Sequence, residues 1–371
     1  MISDLTLQAC IADARARTIA WLDAMQAPGL PAGIGRISAA HDVTAWPGML
    51  LPGSYNALLC RELLGALPAD PAPAAAWLRA HRLPDGRFRI PGMADDAVFK
   101  KSDPAETWRY IDFHVTNYTL GAIQALTPRA VPAPEFARAY LDPLTLKAWL
   151  GDRDLRDPWQ EGNNIVNLAS FLLLLRPTEP ERVDAALEIL FTWHDYHRNP
   201  ATGFWGVGQS SDPLRALHAM AGSMHNFHIW YATSRALPEQ DRAVDYALTR
   251  PAAIHSACID VDLIDLLVHA ARASDYRRVE IHAWLRRILP ALLDFQSADG
   301  GFADELAGIR RQDGWVRGYS EPQGLSNSFA TWFRWIGIAM ITDYLWPGTH
   351  PWRFRRMIGI GYRHDTNPGE Y

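Results

Sequence analysis

One short pattern occurs three times in this chain and limits its fold more than any other feature. The copies are Arg82-x3-Gly86-x-Phe88, Asn199-x3-Gly203-x-Trp205 and Gln296-x3-Gly300-x-Phe302. Each copy follows an amphipathic stretch with helical periodicity and precedes a long loop. The Asp-Gly or Thr-Gly pair in each copy favours a tight turn, so the fixed spacing predicts one helical hairpin unit repeated along the chain.

Helical periodicity dominates the rest of the sequence. Apolar residues recur at steps of three and four, as in Trp284, Ile288, Leu292 and Phe295, whereas the alternating patterns typical of strands are scarce. With 371 residues, of which 48% are hydrophobic, the chain can bury a large core. We therefore predict a single all-α domain over residues 1–371.

Charge and cysteine content narrow the classes of partner and cofactor. The net charge is -5 with both signs spread along the chain, so we expect no nucleic-acid partner. Cys10, Cys60 and Cys258 form no CxxC pair and indicate neither a disulfide framework nor a structural zinc site. Motifs for nucleotide binding and acyl-enzyme chemistry are absent, and no cofactor is predicted.

The polar N-terminus and the lack of an apolar run of about 18 residues predict a soluble protein of the reducing cytoplasm.

The predicted helices are of two kinds. Amphipathic, charged stretches near residues 5–25, 72–82, 134–150, 179–195, 238–249 and 277–295 are typical of outer helices. Stretches that are apolar nearly all round, which we interpret as inner helices, begin near Ser54, Asp112, Asn163, His225, Asp260 and Asn327. Alternation of six outer with six inner helices predicts an (α/α)6 toroid whose parallel inner helices open at one mouth, at their N-termini. The loops at 27–52, 83–107, 197–217 and 297–325 are expected at that same mouth.

Polar residues at the starts of the inner helices predict where a ligand binds. N-capping alone explains one polar residue per helix. The pairs Asn163/Asn167 and Asp262/Asp265 place a second polar group on the same helical face, one turn deeper than a cap requires. Because burial of such a group without a partner is costly, a polar cavity is the alternative to capping alone.

Three aspartates, Asp260, Asp262 and Asp265, form the densest acidic group in any apolar stretch. Carboxylates so close together repel, so the pKa of at least one should rise, and that group can then act as a general acid. The alternative is that Asp260 caps a helix and the other two pair with arginines such as Arg272. Asp112, which has aromatic neighbours in the sequence, is a rival acid.

Two histidines, His225 and His228, lie three residues apart on one predicted helical face and can bind a metal if a carboxylate is near. The sequence lacks an HExxH motif, a facial-triad pattern and a cysteine pair, so we interpret them as buried, hydrogen-bonded histidines and predict no metal. His114 fits a structural role as well as a catalytic one.

The repeats resemble the Q-x3-G-x-W repeat of squalene-hopene cyclase and related terpenoid cyclases. The copy at Gln296 has Phe in place of Trp, the copy at Asn199 has Asn in place of Gln, and the copy at Arg82 is more degenerate. The resemblance implies an α/α toroid in which an aspartic acid protonates an alkene or epoxide of a polyprenyl chain. Aromatic faces then guide the carbocation to a cyclic product.

The resemblance also implies which aspartate is the acid. Those cyclases carry a D-x-D-D motif whose middle Asp donates the proton, and Asp260-Val261-Asp262-Leu263 matches it without the last Asp. Asp262 therefore occupies the donor position, while the residues alone keep Asp260 and Asp112 as catalytic candidates. The residues expected to bind the substrate are Tyr55, His114, Asn117, Asn163, Asn164, Trp205, His225, His228, Asn327 and Trp332.

An apolar isoprenoid is the expected partner, and its uptake is compatible with a peripheral membrane contact. Similar toroids serve protein prenyltransferases, whose zinc ligands need an ordered Asp, Cys and His, whereas Cys258-Ile259-Asp260 has the reverse order. Carbohydrate-active hydrolases, lyases or epimerases are the stronger alternative, because a mouth rich in Asn, His, Asp and Trp suits hydroxyl groups and sugar rings. A toroid that binds a ligand without catalysing a reaction is the third possible function.

Overall fold

The computed structural model describes residues 3–92, 104–129, 131–250, 256–304, 311–313, 319–322 and 324–363. These residues form twelve α-helices, two 3₁₀ helices (Pro47–Met49 and Glu135–Leu141) and one antiparallel hairpin of β1 (Arg311–Asp313) and β2 (Ser320–Pro322). The helices are α1 (Asp4–Ala24), α2 (Leu50–Leu63), α3 (Ala72–Arg79), α4 (Pro104–Leu126), α5 (Pro143–Gly151), α6 (Pro158–Leu175), α7 (Pro180–His197), α8 (Pro213–Ala232), α9 (Gln240–Thr249), α10 (Ala257–Ala273), α11 (Arg278–Leu293) and α12 (Ser328–Leu345). The predicted all-α class is confirmed.

Burial divides the helices into two alternating sets that match the predicted outer and inner segments. The odd-numbered helices bury one stripe, which in α1 includes Leu7, Ile11, Ala14 and Thr18. The even-numbered helices are buried on nearly every side, and in α12 every residue from 330 to 342 is buried. Even so, no helix in the described part of the chain is both long and apolar enough to cross a membrane. The cytoplasmic location stays a prediction.

The even-numbered helices pack against one another in sequence order. Contacts join α2 to α4, α4 to α6, α6 to α8, α8 to α10 and α10 to α12, and α12 in turn contacts α2. The series is therefore closed, and the core consists of these six helices together with the buried stripes of the odd-numbered helices. The helices α3, α7, α9 and α11 each contact an even-numbered neighbour.

Four of the buried helices begin earlier than the sequence analysis predicted. α6 and α8 start at Pro158 and Pro213, and the aspartates before them, Asp157 and Asp212, accept N-capping hydrogen bonds. Proline suits the first helical position because its missing N–H is not needed there. The predicted starts were wrong by between one and about three turns for Ser54, Asp112, Asn163 and His225. These residues lie inside helices, so N-capping does not explain them.

Each repeat forms a tight turn that docks on the next buried helix. The glycines have φ angles of 93° at Gly86, 76° at Gly203 and 96° at Gly300, a region that favours glycine. The backbone N–H of each following aromatic residue donates to a hydroxyl group on an even-numbered helix. The pairs are Phe88 with Thr116 (2.9 Å), Trp205 with Ser223 (2.8 Å) and Phe302 with Thr331 (2.9 Å).

A fourth turn of this kind, missed from the sequence, follows α1. Gln26 forms an antiparallel bridge with Gly35, and its side chain accepts a hydrogen bond from Gly33 N (2.8 Å). Gly35 N donates to Ser54 Oγ on α2 (3.1 Å). The pattern did not detect this turn because Gly33 follows Gln26 by seven positions, whereas the glycine of each repeat follows its polar residue by four. In addition, a glycine replaces the aromatic residue.

The segment of residues 353–363 packs back onto the buried helices α2 and α4. Arg353 N donates to Leu63 O at the end of α2 (3.1 Å), and the Arg355 guanidinium donates to Asn117 Oδ1 on α4 (2.5 Å). Met357 is fully buried. The segment therefore belongs to the same core as the helices.

Two glycines allow α6 and α8 to approach closely. A Cβ atom added at Gly162 would lie 2.2 Å from Gly222 O, and one added at Gly222 would lie 2.0 Å from Pro158 O. Gly222→Ala is therefore expected to push the helices apart and to lower the free energy of unfolding by about 1–3 kcal/mol or more, seen as a lower urea midpoint. Gly151→Ala is the control, because its added Cβ meets nothing within 4 Å. Equal losses in both variants would contradict this interpretation.

Candidate functional site

Asp262 on α10 is a fully buried carboxyl group held by a histidine. Its Oδ1 atom lies 3.2 Å from His225 Nε2 on α8, and its Oδ2 atom has no hydrogen-bond partner in the described part of the chain. Burial raises the pKa of Asp262 to about 6, although attraction to His225 acts in the opposite direction. A carboxyl group with this pKa is mostly protonated below pH 6 and keeps its proton in about one molecule in ten at pH 7, far more often than an ordinary aspartic acid, as suits a general acid.

Four ring side chains, Tyr55, His114, Tyr118 and Trp332, form what we call the aromatic cluster. The Tyr118 ring centroid lies 5.6 Å from that of Tyr55, 4.2 Å from that of His114 and 5.2 Å from that of Trp332. Burial raises the pKa of Tyr118, Arg355 opposes the shift, and an ionised Asp262 adds a small part to it, so Tyr118 lies within electrostatic range of the carboxyl group. Sequence analysis named three members and missed Tyr118, although its spacing from His114 puts both on one face of α4.

Asp112 lies in a different environment. Arg89 donates to both carboxylate oxygens (2.8 and 2.7 Å), and Arg87 Nη1 donates to Oδ2 (2.9 Å). The aspartate is fully buried, whereas the arginine side chains are about one-third exposed (33% and 31%). Two guanidinium groups thus bind this carboxylate through charge-assisted hydrogen bonds to both of its oxygens. Asp112 therefore forms ion pairs that link the turn of the first repeat to α4.

Asp260 also lies against an arginine. Arg334 Nη1 contacts Asp260 Oδ2, and both side chains are buried. Arg334 Nη2 donates in addition to the carbonyl oxygen of Asp304 (2.6 Å). Of the three candidate acids, Asp262 is thus the one without an arginine partner among the described residues.

The alternative interpretation of the aspartates, in which Asp260 is a helix cap and the others pair with arginines, was wrong. Ser256 caps α10, since its side chain accepts from Ile259 N (3.3 Å). Arg272 pairs with Asp343 (2.7 Å) and is not a partner of the acidic group. These pairings depend on distant parts of the chain that the local sequence does not show.

The asparagines predicted to bind substrate make hydrogen bonds to other protein groups. A buried amide that is already paired has less capacity left for the hydroxyl groups of a ligand. The partners are Asn167 and Arg355 for Asn117, Trp159 for Asn163, Glu161 for Asn164 and Ala330 N for the helix cap Asn327.

The two predicted histidines face different carboxylates. His225 contacts Asp262, whereas His228 Nε2 lies 3.2 Å from Asp265 Oδ2. Burial lowers the pKa of His228, against the attraction of Asp265. The two rings therefore contact different carboxylates of α10.

Trp205, also expected to bind substrate, has the contacts of a core residue. Its indole N–H donates to His194 O on α7 (2.6 Å), and its ring stacks on Trp230 with centroids 5.6 Å apart. The side chain is buried. A direct role in substrate binding stays a prediction.

One group of side chains in the described part of the chain can hold a metal ion. His225, Cys258 and Asp262 each offer an atom that lies within 4.8 Å of the other two. Imidazole nitrogen, thiolate sulfur and carboxylate oxygen are all accepted by zinc. A bound metal needs Asp262 ionised, so metal binding and proton donation are exclusive uses of this carboxyl group.

A further buried acid, Glu321 on β2, was missed from the sequence. Tyr319 OH donates to its Oε1 atom (2.8 Å), and Ser38 Oγ contacts the same atom. Burial raises the pKa of Glu321, while both hydroxyl groups oppose the shift. Its sequence context, Ser320-Glu321-Pro322 in a long loop, carries no signal of burial.

Comparison of the chain with protein-family models, curated proteins and solved structures found no match. The resemblance to terpenoid cyclases therefore stays an inference from motifs. The geometry of this chain is the basis for assigning its function.

Proposed function

We propose that the chain is a single-domain class II-type terpenoid cyclase with an (α/α)6 toroid fold. The closed series of contacts among the six even-numbered helices supports the toroid. The observation that carries the activity is the environment of Asp262: full burial, an Oδ2 atom without a partner among the described residues, and a pKa of about 6. In this proposal Asp262 protonates a polyprenyl or meroterpenoid substrate.

Protonation of an alkene needs a carboxylic acid that is un-ionised in a site of low dielectric. Asp262 would transfer its proton to the terminal alkene carbon, or to an epoxide oxygen, and the substrate would become a carbocation. The Asp262 carboxylate left behind would be stabilised by its hydrogen bond from His225. Loss of a proton from the cyclised cation would complete an isomerisation that needs no cofactor.

The aromatic cluster supplies the second requirement of the reaction. Ring faces stabilise a cation through their quadrupole, by about 2 kcal/mol or more where water is excluded. Tyr55, Tyr118 and Trp332 are all buried, and the rings of Tyr55 and Trp332 each contact that of Tyr118. The Arg355 guanidinium lies over the Tyr118 ring at 5.1 Å, so Tyr55 and Trp332 are the rings that would face the substrate cation. An apolar isoprenoid is the matching substrate, and cytoplasmic location with peripheral membrane contact is part of the same proposal.

Hydrogen bonding of the asparagines to other protein groups argues against the carbohydrate-active alternative. A sugar site needs amide and carboxylate groups that are available to ligand hydroxyls, whereas both the amide nitrogen and the amide oxygen of Asn117 are paired inside the protein. Two of the three candidate carboxylates, Asp112 and Asp260, are also occupied by arginines. The cyclase is therefore the function that the geometry supports best.

The proposal is tested by incubating the purified protein with squalene, 2,3-oxidosqualene and geranylgeranyl diphosphate. Gas chromatography with mass spectrometry should detect a cyclic isomer of at least one of them. Conversion of none of the three in detergent or in lipid vesicles would argue against the proposal.

Cys258→Ala separates proton donation from metal chemistry. Cys258 belongs to the group that can hold a metal, but it has no part in the proposed acid catalysis. We expect this variant to form product at close to the wild-type rate and the wild type to withstand a chelator. Loss of activity in Cys258→Ala together with stoichiometric metal by mass spectrometry would instead assign a metal-dependent reaction.

A further inference from the structure

Two buried polar atoms at the contact between α8 and α10 have no hydrogen-bond partner among the described residues. They are Asp262 Oδ2 and His225 Nδ1, and the two side chains are 0% and 2% exposed. Buried polar side-chain atoms are normally bonded to protein, to water or to an ion. The carboxylate oxygen in particular can bind a ligand that the protein itself does not supply.

Cys258, the second residue of α10, adds a thiol to this pair. One ligand atom of His225, one of Cys258 and one of Asp262 all lie within 4.8 Å of one another. Imidazole nitrogen, thiolate sulfur and carboxylate oxygen are the ligands that zinc takes in proteins, and three of them leave a fourth position for water. Sequence analysis predicted no metal because it did not connect Cys258 with the histidines of α8.

The spacing of His225 and Asp262 is close to the edge of a zinc tetrahedron. His225 Nε2 lies 3.2 Å from Asp262 Oδ1. Zinc bonds of about 2.0–2.2 Å at the tetrahedral angle separate a nitrogen and an oxygen ligand by about 3.3–3.5 Å. A zinc–sulfur bond of about 2.3 Å places the thiolate about 3.5–3.7 Å from each of them. A shift of the thiol by about 1 Å therefore completes the site from a spread of 4.8 Å.

The charges of the three ligands balance the charge of a zinc ion. A thiolate and a carboxylate together carry two negative charges, and a neutral imidazole adds none. The neighbouring Asp260 is paired with Arg334, so this guanidinium does not oppose a cation in the site. Because a buried charge without a counterion is costly, a neutral zinc complex suits this buried position.

A metal ion also needs a path to its ligands. Cys258 is partly exposed, whereas His225 and Asp262 are buried. It follows the helix cap Ser256 by two residues. An ion would therefore reach the three ligands from the N-terminal end of α10, where the mouth of the toroid is predicted.

We propose that Zn²⁺ binds to His225, Cys258 and Asp262 and thereby inhibits the cyclase. The inference rests on the proposed function, in which Asp262 is the acid. Zinc replaces the carboxyl proton of Asp262 and the thiol proton of Cys258, both protons pass to solvent, and no electron is transferred. A zinc-bound carboxylate has no proton for the alkene, so turnover stops until the metal dissociates.

Co²⁺ is the probe for the site, because it accepts the same ligands and its thiolate complexes have a charge-transfer absorption band. The wild type with equimolar Co²⁺ should show this band, and equimolar Zn²⁺ should abolish it. Cys258→Ala should lose the band, whereas Cys10→Ala, which replaces an exposed cysteine of α1, should keep it. His225→Gln retains the thiol and should weaken cobalt binding at least about 10-fold, so the test does not depend on one variant.

Inhibition is measured as the rate of cyclic product formation with increasing Zn²⁺. The wild type and Cys10→Ala should lose at least about 90% of their rate with saturating zinc and regain it after addition of a chelator. Cys258→Ala, compared with its own rate without metal, should need at least about 10-fold more zinc for the same loss.

The outcomes separate the zinc site from the proposed function. A wild type without the cobalt band, or an equal band in Cys258→Ala, would overturn the zinc site and leave Asp262 as the acid. Cyclisation that continues with zinc bound would overturn both the inhibition and the role of Asp262 as acid. A rate that increases with zinc would replace both by a metal-dependent reaction. The cobalt experiment needs no substrate, so its band would support the zinc site even if no polyprenyl substrate is converted and the proposed function fails.

Discussion

Asp262→Asn is expected to reduce cyclic product formation by between about 100-fold and 10,000-fold, the range for loss of a positioned general acid. Asparagine has nearly the same shape as the acid but has no carboxyl proton to give. The loss should lie in the rate of the chemical step and not in the binding of substrate. Single-turnover product formation, measured by mass spectrometry after rapid quenching, separates the two.

The wild-type rate should depend on pH in one direction. Burial raises the pKa of Asp262 to about 6, so the reactive protonated form dominates below this pH. Above it, the single-turnover rate should fall about tenfold per pH unit as the carboxyl group ionises. A rate that rises through pH 6 would indicate a carboxylate acting as base, as glycoside hydrolysis or a metal site needs.

The stability of the wild type should fall with rising pH, as its activity does, whereas Asp262→Asn should lower activity without lowering stability above pH 6. A carboxyl group whose pKa is raised in the folded state favours folding fully below its unfolded pKa of 3.8, and this advantage is lost as pH rises through about 6. Above that pH, Asp262→Asn removes the cost of a buried charge and should be as stable as the wild type, or more stable by up to about 3 kcal/mol. Urea unfolding at two pH values measures this difference. If Asp262→Asn were inactive because it is unfolded, the result would contradict the assignment of Asp262 as the catalytic acid.

The repeated turns were the part of the fold that local sequence described best. Each turn depends on a glycine with positive φ and on residues within a few positions of it. The contacts that form the turn are therefore local, and a short sequence pattern is enough to predict them. The odd-numbered helices were also predicted well, because amphipathic periodicity is likewise a local property of the sequence. The helix starts at Pro158 and Pro213 were missed because polar residues further along were taken as caps, although an Asp-Pro pair marks each true start.

The ranking of the three candidate acids could not be read from the sequence. Asp112, Asp260 and Asp262 are all aspartates beside apolar residues, and what separates them is whether an arginine reaches them. Arg89 lies 23 residues from Asp112, and Arg334 lies 74 residues from Asp260. Only the packing of helices decides such contacts. The motif match at Asp262 pointed to the same residue, but it did so by resemblance and not by any physical property of the sequence.

Asp260→Leu is expected to destabilise the protein by about 3–5 kcal/mol, the largest stability loss among the three aspartates of α10. The substitution leaves the Arg334 guanidinium buried without its carboxylate. Arg334 would keep its hydrogen bond to the Asp304 carbonyl and its position over the Phe295 ring at 4.4 Å, but neither contact neutralises the charge. The free energy of urea unfolding measures the effect.

A double-mutant cycle shows whether the loss comes from the orphaned charge. Arg334→Met alone should cost a similar amount, because it leaves the Asp260 carboxylate buried without its guanidinium partner. Asp260→Leu with Arg334→Met should cost far less than the sum of the two, since replacing both members of a buried ion pair by apolar side chains is often neutral. Additive losses would mean that each residue acts through separate packing contacts. In that case the ion pair would no longer distinguish Asp260 from Asp262, and Asp260 would again be a candidate for the catalytic acid.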